Sequence, residues 1–208
     1  MKSFFQCKVL LIFLVIPMQI LAATSASDQL IELLSQLKSM RANFVQTVMN
    51  NGGKVLQKNS GKLILQRPGH FRWQVEQPNK QLLIADGQNI WFYDIDLRQI
   101  MVQKQKMAIA DSPAALLSGD PSDLMQHFTV AFLQGGHGFY LLPKDKNALF
   151  HSIILIFKQN RLYEMRLSDK LGQQAVIHFS QIDLSSTIGS ENFHFVLPKD
   201  KNVEIVKG

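Results

Sequence analysis

From Ala42 onward the spacing of apolar residues is two far more often than three or four, and that period restricts most of the chain to β-strands. In "HFRWQVEQ", Phe71, Trp73 and Val75 alternate with Arg72, Gln74 and Glu76, the signature of a strand with one buried and one wet face. In "GKLILQR" just before it, Leu63 and Leu65 share a face, and the two segments form a hairpin closed at Pro68-Gly69. "KQLLIADGQNIWFYD" reads as a second hairpin around Asp86-Gly87, and "RQIMVQKQ" follows the turn "DIDL". Upstream, "ANFVQTV" alternates, and "NNGGKVLQKNSG" reads as turn, edge and turn. Downstream come "TVAFL", "GFYLLP", "HSIILIFK", "RLYEMRLSD", "QAVIHFSQIDL" and "FHFVLP", with Tyr163, Met165 and Leu167 opposing Glu164 and Arg166.

Two segments break this rhythm. In "SASDQLIELLSQLKSM", Leu30, Leu33, Leu34, Leu37 and Met40 follow helical spacing, which predicts an amphipathic helix over Ser27 to Met40, capped by Ser25 or Ser27. In "DSPAALLSGDPSDLMQHF", prolines near the first helical position predict short helices over Pro113 to Leu117 and Pro121 to Phe128. The expected fold is mainly β with a helical lid (α+β): a strongly curved antiparallel sheet whose hollow side is covered by helices. "IWFY" and "IILIF" carry large apolar residues at both parities, more than one buried face requires. Periodicity leaves open whether Trp91 or Phe92 points inward.

The N-terminus stands apart. Lys2 and Lys8 flank a short basic start, "VLLIFLVIPMQILA" is almost wholly apolar, and "AATSAS" supplies small residues. That layout predicts a secretory signal peptide over residues 1–22, cleaved to leave a single domain over 23–208. Cys7 would leave with it, so the mature chain has no cysteine and relies on core packing alone. Loss of Lys2 and Lys8 takes the formal charge from +6 to +4, spread without a basic stripe, which argues against nucleic acid.

Nothing in the sequence carries bond chemistry. It lacks a G-x-S-x-G elbow, an H-E-x-x-H pair and a phosphate loop, and "GGHGF" lies between strands as a turn. The six histidines (His70, His127, His137, His151, His178 and His194) show no ligand spacing, and Asp94 with Asp96 falls short of a calcium loop. The expectation is no enzyme, no metal and no cofactor. Met40, Met49, Met101, Met107, Met125 and Met165 suit an adaptable apolar lining, and ordinary core filling explains them equally well.

Arg67 raises a separate question, because it falls on the face of Leu63 and Leu65. Either Pro68 breaks the strand and Arg67 turns to solvent, as most arginines do, or its guanidinium reaches beneath the covering helices and bonds carbonyls there. The ordered motifs "ANFVQ", "GKLILQRPGHFRW", "QPNKQLLIADGQNIWFYDIDLRQ" and "SPAALLSG" resemble the periplasmic outer-membrane lipoprotein carrier family, LolA, most densely from Ala42 to Gln99. The resemblance implies an incomplete, unclosed antiparallel β-barrel lidded by short helices, with no cofactor. It implies a monomeric periplasmic chaperone that takes acylated lipoproteins from an inner-membrane ABC-type release complex and passes them to an outer-membrane lipoprotein acceptor. It assigns Arg67 as the lid latch and Phe71, with Trp73 beside it, as acyl-cavity lining; alternation adds Leu63, Leu65 and Val75 to that lining, and Trp91 is counted with them although its parity is open. With helices as the lid, the expected lid residues on the two predicted helical segments are Leu30, Leu34, Leu37, Ala114 and Leu117. A lipid- or lipoprotein-sensing module on the same half-barrel is the alternative.

Overall fold

The computed structural model describes residues 24–105, 113–135, 138–199 and 203–207. The expected leader with Cys7, and also Met107, Ser112 and His137, lie outside these residues.

Helix α1 spans Ala26–Gln36, and Ser25 caps it by accepting from the Asp28 N–H at 3.1 Å. The helix is shorter than its apolar spacing suggests. Leu37 leaves helical geometry, and Met40 belongs instead to strand β1 (Ser39–Met49), where it pairs with Leu65. The ladder there satisfies every backbone group that another turn of helix would satisfy, and it buries Met40 completely.

Strands β2 (Val55–Gln66), β3 (His70–Gln77), β4 (Gln81–Asp86), β5 (Asn89–Asp94) and β6 (Gln99–Lys104) follow as a meander. Gly69 and Gly87 supply the positive φ their turns require, 74° and 93°. "NSG" is not a turn: β2 runs straight through it, and Gly61 sits inside the strand. A Cβ at Gly61 would lie 1.9 Å from the Gln74 carbonyl oxygen and 3.0 Å from the Phe44 ring, so the glycine exists for close approach.

Helices α2 (Pro113–Ser118) and α3 (Pro121–His127) form where the proline signals place them, the second capped by Asp120. Strands β7 (Phe128–Phe132), β8 (Gly138–Pro143), β9 (Phe150–Lys158), β10 (Arg161–Asp169) and β11 (Gln174–Asp183) complete the antiparallel run. The clean alternation expected in β10 is interrupted. A bulge between Leu162 and Glu164 leaves Tyr163 outside against His178 and Lys158, so Leu162 and Met165 both face inward.

The last expected strand, "FHFVLP", does not form; a short 3-10 turn over Ser190–Phe193 precedes an extended stretch without a ladder. Strand β12 (Glu204–Lys207) instead pairs parallel with β6. Among the described residues the result is one sheet of twelve strands in the order β12-β6-β5-β4-β3-β2-β1-β11-β10-β9-β8-β7. Strands β12 and β7 are its two edges, so the barrel is unclosed. The hollow face, α1 and α2 together form one continuous apolar core.

Candidate functional site beneath the helical lid

Strand register decides which side chains meet inside. Leu65, Phe71, Ala85 and Ile90 form one cross-strand row, and Leu63, Trp73, Leu83 and Phe92 form the next. Leu63, Leu65, Phe71, Trp73 and Val75 are all buried, as are Leu30, Leu34 and Leu37 of the α1 segment and Ala114 and Leu117 of α2. At about 1.5–3 kcal/mol per buried large apolar side chain, this face is the main adhesive between lid and sheet.

The sequence reading missed the residues at the centre. Phe44 stacks on Trp73 with ring centroids 4.0 Å apart, and Phe179 meets Trp73 edge-on at 6.4 Å. Phe44 pairs with Gly61 on one side and Phe179 on the other, so the missing Cβ at Gly61 admits the ring. The hollow is therefore packed by its own aromatics beneath the helices. "ANFVQ" placed Phe44 on a strand but not at the centre, because only the β1–β11 register brings Phe179 beside it.

Trp91 is a correction. Its neighbours across the ladder are Ile84 and Val102, which puts it on the convex face, opposite Phe71 and Trp73. There its ring lies parallel to Phe195 at 4.9 Å, and Nε1 donates to Asp86 Oδ2 at 2.9 Å. Phe92 takes the inward parity. The chain after β11 explains the second apolar parity: its Ser190–Phe193 turn packs against β3 and β4 and Phe195 stacks on Trp91, while Ile84, Ile100, Ile188 and Phe193 are all buried apart from the core beneath the helices. Of the methionines, Met40 and Met165 are core and Met125 packs against it, whereas Met101 is 45% exposed.

Arg67 stands where β2 ends, and it ties the two lid elements together. Its Nε donates to the Leu37 carbonyl oxygen at 3.0 Å, and its Nη1 donates to the Gly119 carbonyl oxygen. Backbone bonds reinforce the junction: Arg67 N–H to Lys38 O at 2.8 Å, and Gly69 N–H to Ser118 O at 2.8 Å. The guanidinium is not at ease. Burial lowers its pKa to about 10, with Asp120 pulling the other way. Nη2 is buried with no hydrogen-bond partner among the described residues. The Asp120 carboxyl is held below the usual carboxylate range because Ser122 donates to it from side chain and backbone, with Arg67 adding attraction.

Among the described residues no cluster of three or more potential ligands exists for a metal, and no helix is long and apolar enough to cross a membrane. An apolar interior beneath a fastened helical cover, on a sheet that does not close, defines the chain as a lidded half-barrel. The chain belongs to the LolA family: residues 35–196 match the family described as outer membrane lipoprotein carrier protein LolA. The outer-membrane lipoprotein carrier protein of Pseudomonas paraeruginosa is 35% identical over 182 residues, covering 86% of this chain and 88% of the relative. That of Chromohalobacter salexigens is 34% identical over 192 residues, 91% of each chain. A solved LolA superfamily protein from Nitrosomonas europaea shares the fold at a TM-score of 0.52, covering 83% of this chain and 99% of its own at 11% identity. The relatives are carriers by name.

Proposed function

We propose that this chain is a monomeric periplasmic carrier that shelters the acyl chains of lipoproteins in its apolar interior. It receives them from an inner-membrane ABC-type release complex and delivers them to an outer-membrane lipoprotein acceptor. Residues 1–22 serve as the leader and 23–208 as the carrier domain. The observation that carries this reading is Arg67 bonded at once to the end of α1 and the end of α2. Each methylene left in water costs about 0.8 kcal/mol, so a carrier must enclose its cargo. It must also release it. A latch of two hydrogen bonds held by an incompletely bonded, dehydrated cation can be undone, because opening rehydrates the guanidinium.

As the lid lifts, Phe44, Phe71 and Trp73 part and acyl chains replace them against the same apolar wall. No covalent step is needed, since transfer follows the relative burial offered by membrane, carrier and acceptor. The test is to add the purified protein to spheroplasts that display newly made lipoprotein. Lipoprotein should appear in the supernatant bound to the protein. A folded protein that leaves all lipoprotein membrane-bound refutes the reading.

A further inference from the structure

The cross-strand row that carries Trp91 on the convex face continues through Ile84, Arg72 and Ile64 to Arg41. Arg41 of β1 and Arg72 of β3 thus flank Ile64 of β2 from either side, about 10 Å apart at the usual strand spacing. A pocket of about 180 Å³ opens between them, and Lys62, Asn43, Gln74 and Gln181 complete its polar rim. Gln181 reaches the rim because the β1–β11 ladder bulges there, and it takes φ 50°, an unfavoured value for a residue with a Cβ.

The rim is arranged to donate. Asn43 Nδ2 donates to the Gln181 side-chain oxygen at 2.7 Å, and Arg72 Nε and Nη2 both reach the Gln74 side-chain oxygen, at 3.4 and 3.3 Å. Both glutamine oxygens are taken within the rim, which leaves their NH₂ groups as donors beside the cations. Asn43 Oδ1 is the remaining side-chain acceptor. Of the three positive charges, Lys62 is balanced by Glu76 at 3.0 Å. Asp183 stands opposite Arg41 in the ladder, and it accepts instead from Ser185 and Ser186. Asp86, near Arg72 on β4, is engaged by Trp91, Gln88 and Asn89. Among the described residues no carboxylate pairs with Arg41 or Arg72. Both are half-buried, and burial lowers the Arg72 pKa with no neighbouring acid to raise it. A half-dehydrated guanidinium with one distant amide oxygen is short of acceptors.

We propose that this convex-face pocket binds a phosphate group, carried by an anionic phospholipid headgroup or by a free phosphate. A planar carboxylate satisfies one guanidinium fork, whereas a tetrahedral phosphate offers oxygens to two forks on opposite walls and to the amides between them. The proposal does not rest on the carrier reading, because the polar rim stands on the face of the sheet turned away from the helices.

The experiment follows the arginine Nε–H and glutamine NH₂ signals by nuclear magnetic resonance while potassium phosphate or potassium acetate is added at constant ionic strength. Phosphate should shift Arg41, Arg72 and Gln181 saturably, and acetate should bind at least about tenfold more weakly, the factor expected for one lost charged fork. Arg41→Gln and Arg72→Gln should each weaken phosphate by about tenfold or more with circular dichroism unchanged. Lys54→Gln, the same loss of charge on the exposed β1–β2 turn, should have little effect. Arg72→Lys should restore affinity only in part. Two further arms name the source: glycerophosphoglycerol, which is the acyl-free headgroup of phosphatidylglycerol, and sedimentation with phosphatidylglycerol vesicles. Binding of both, lost in Arg41→Gln, assigns the pocket to a membrane headgroup; binding of inorganic phosphate alone assigns it to a free phosphate. Equal affinity for acetate and phosphate overturns the proposal, as does a loss in Lys54→Gln equal to that in the arginine variants. A folded parent that shows no saturable shift overturns it as well, and all three results leave the carrier reading intact.

Discussion

Arg67 and Leu37 lie thirty positions apart in sequence, and the Arg67 Nε–H donates to the Leu37 carbonyl oxygen at 3.0 Å. That single bond joins the turn between β2 and β3 to the point where the lid helix gives way to β1. With the companion bond to Gly119 it makes one side chain the fastening for both lid elements.

Arg67→Leu removes both bonds, each worth about 1.5–3 kcal/mol, and also removes a dehydrated cation whose burial opposes them. The two effects offset, so the melting temperature should change little while the lid opens more readily. Handover of lipoprotein should be impaired, and the empty protein should bind more of an apolar fluorescent probe. Arg67→Lys should restore function only in part, because an ammonium lacks the planar fork that reaches two carbonyls. Normal transfer with no added probe binding by Arg67→Leu would show that the side chain is a bystander.

Phe71 is completely buried between Leu65 and Ala85. Phe71→Glu therefore places an unpaired carboxyl in the closed core, and the variant should be less stable and should bind no acyl probe. Phe71→Leu isolates the function of the face: it should cost only about 1–2 kcal/mol and retain binding. Wild-type probe affinity in Phe71→Glu, measured after its fold is verified by circular dichroism, would exclude this face as the acyl wall.

Gly61→Ala tests the central stack. A methyl group 1.9 Å from the Gln74 carbonyl oxygen forces β2 and β3 apart and displaces Phe44 from Trp73. The cost should reach the upper end of the roughly 1–3 kcal/mol usual for overpacking. Denaturant titration supplies the number, and near-ultraviolet dichroism should report the lost Phe44–Trp73 contact. An unperturbed melting curve would contradict the geometry.

Trp91→Ala serves as the convex-face counterpart. It loses the stack on Phe195 and the bond to Asp86, and stability should drop by about 1–3 kcal/mol. Acyl-probe affinity should stay at the parent value, since the ring is on the far side of the sheet. A binding defect without a stability defect would place Trp91 in the site after all.

The exported protein should begin near Ala23, lack Cys7 and melt identically with and without reductant. N-terminal sequencing of periplasmic material checks the first two, and a Met1 start on that material would refute the leader.

The parts of this architecture written in local pattern were legible without coordinates. Alternation placed Leu63, Leu65, Phe71, Trp73 and Val75 on one face, because side-chain direction in a strand depends only on parity. Prolines near the first helical position located α2 and α3, and Asp120 caps the second, because helix ends are satisfied by near neighbours in sequence. The motif order carried the family. Where parity failed, a distant partner was responsible. Trp91 faces outward because the C-terminal chain folds back to supply Phe195, making both faces of β5 apolar. Met40 left its helical spacing because Leu65 offered a ladder, and the glycine of "NSG" served Phe44 rather than a turn.

The sequence by itself determined most of the strands and helices and the inner parity of β2 and β3, which depend on spacing along the chain, and its ordered motifs carried the resemblance to the family. Only the tertiary structure decided where Arg67 finds its acceptors, which aromatics fill the hollow, and how Arg41, Arg72 and Gln181 converge beside Ile64. Those relations join residues up to more than a hundred positions apart. They follow from strand register and from the placement of carbonyls left free at helix ends, and neither leaves a period in the sequence.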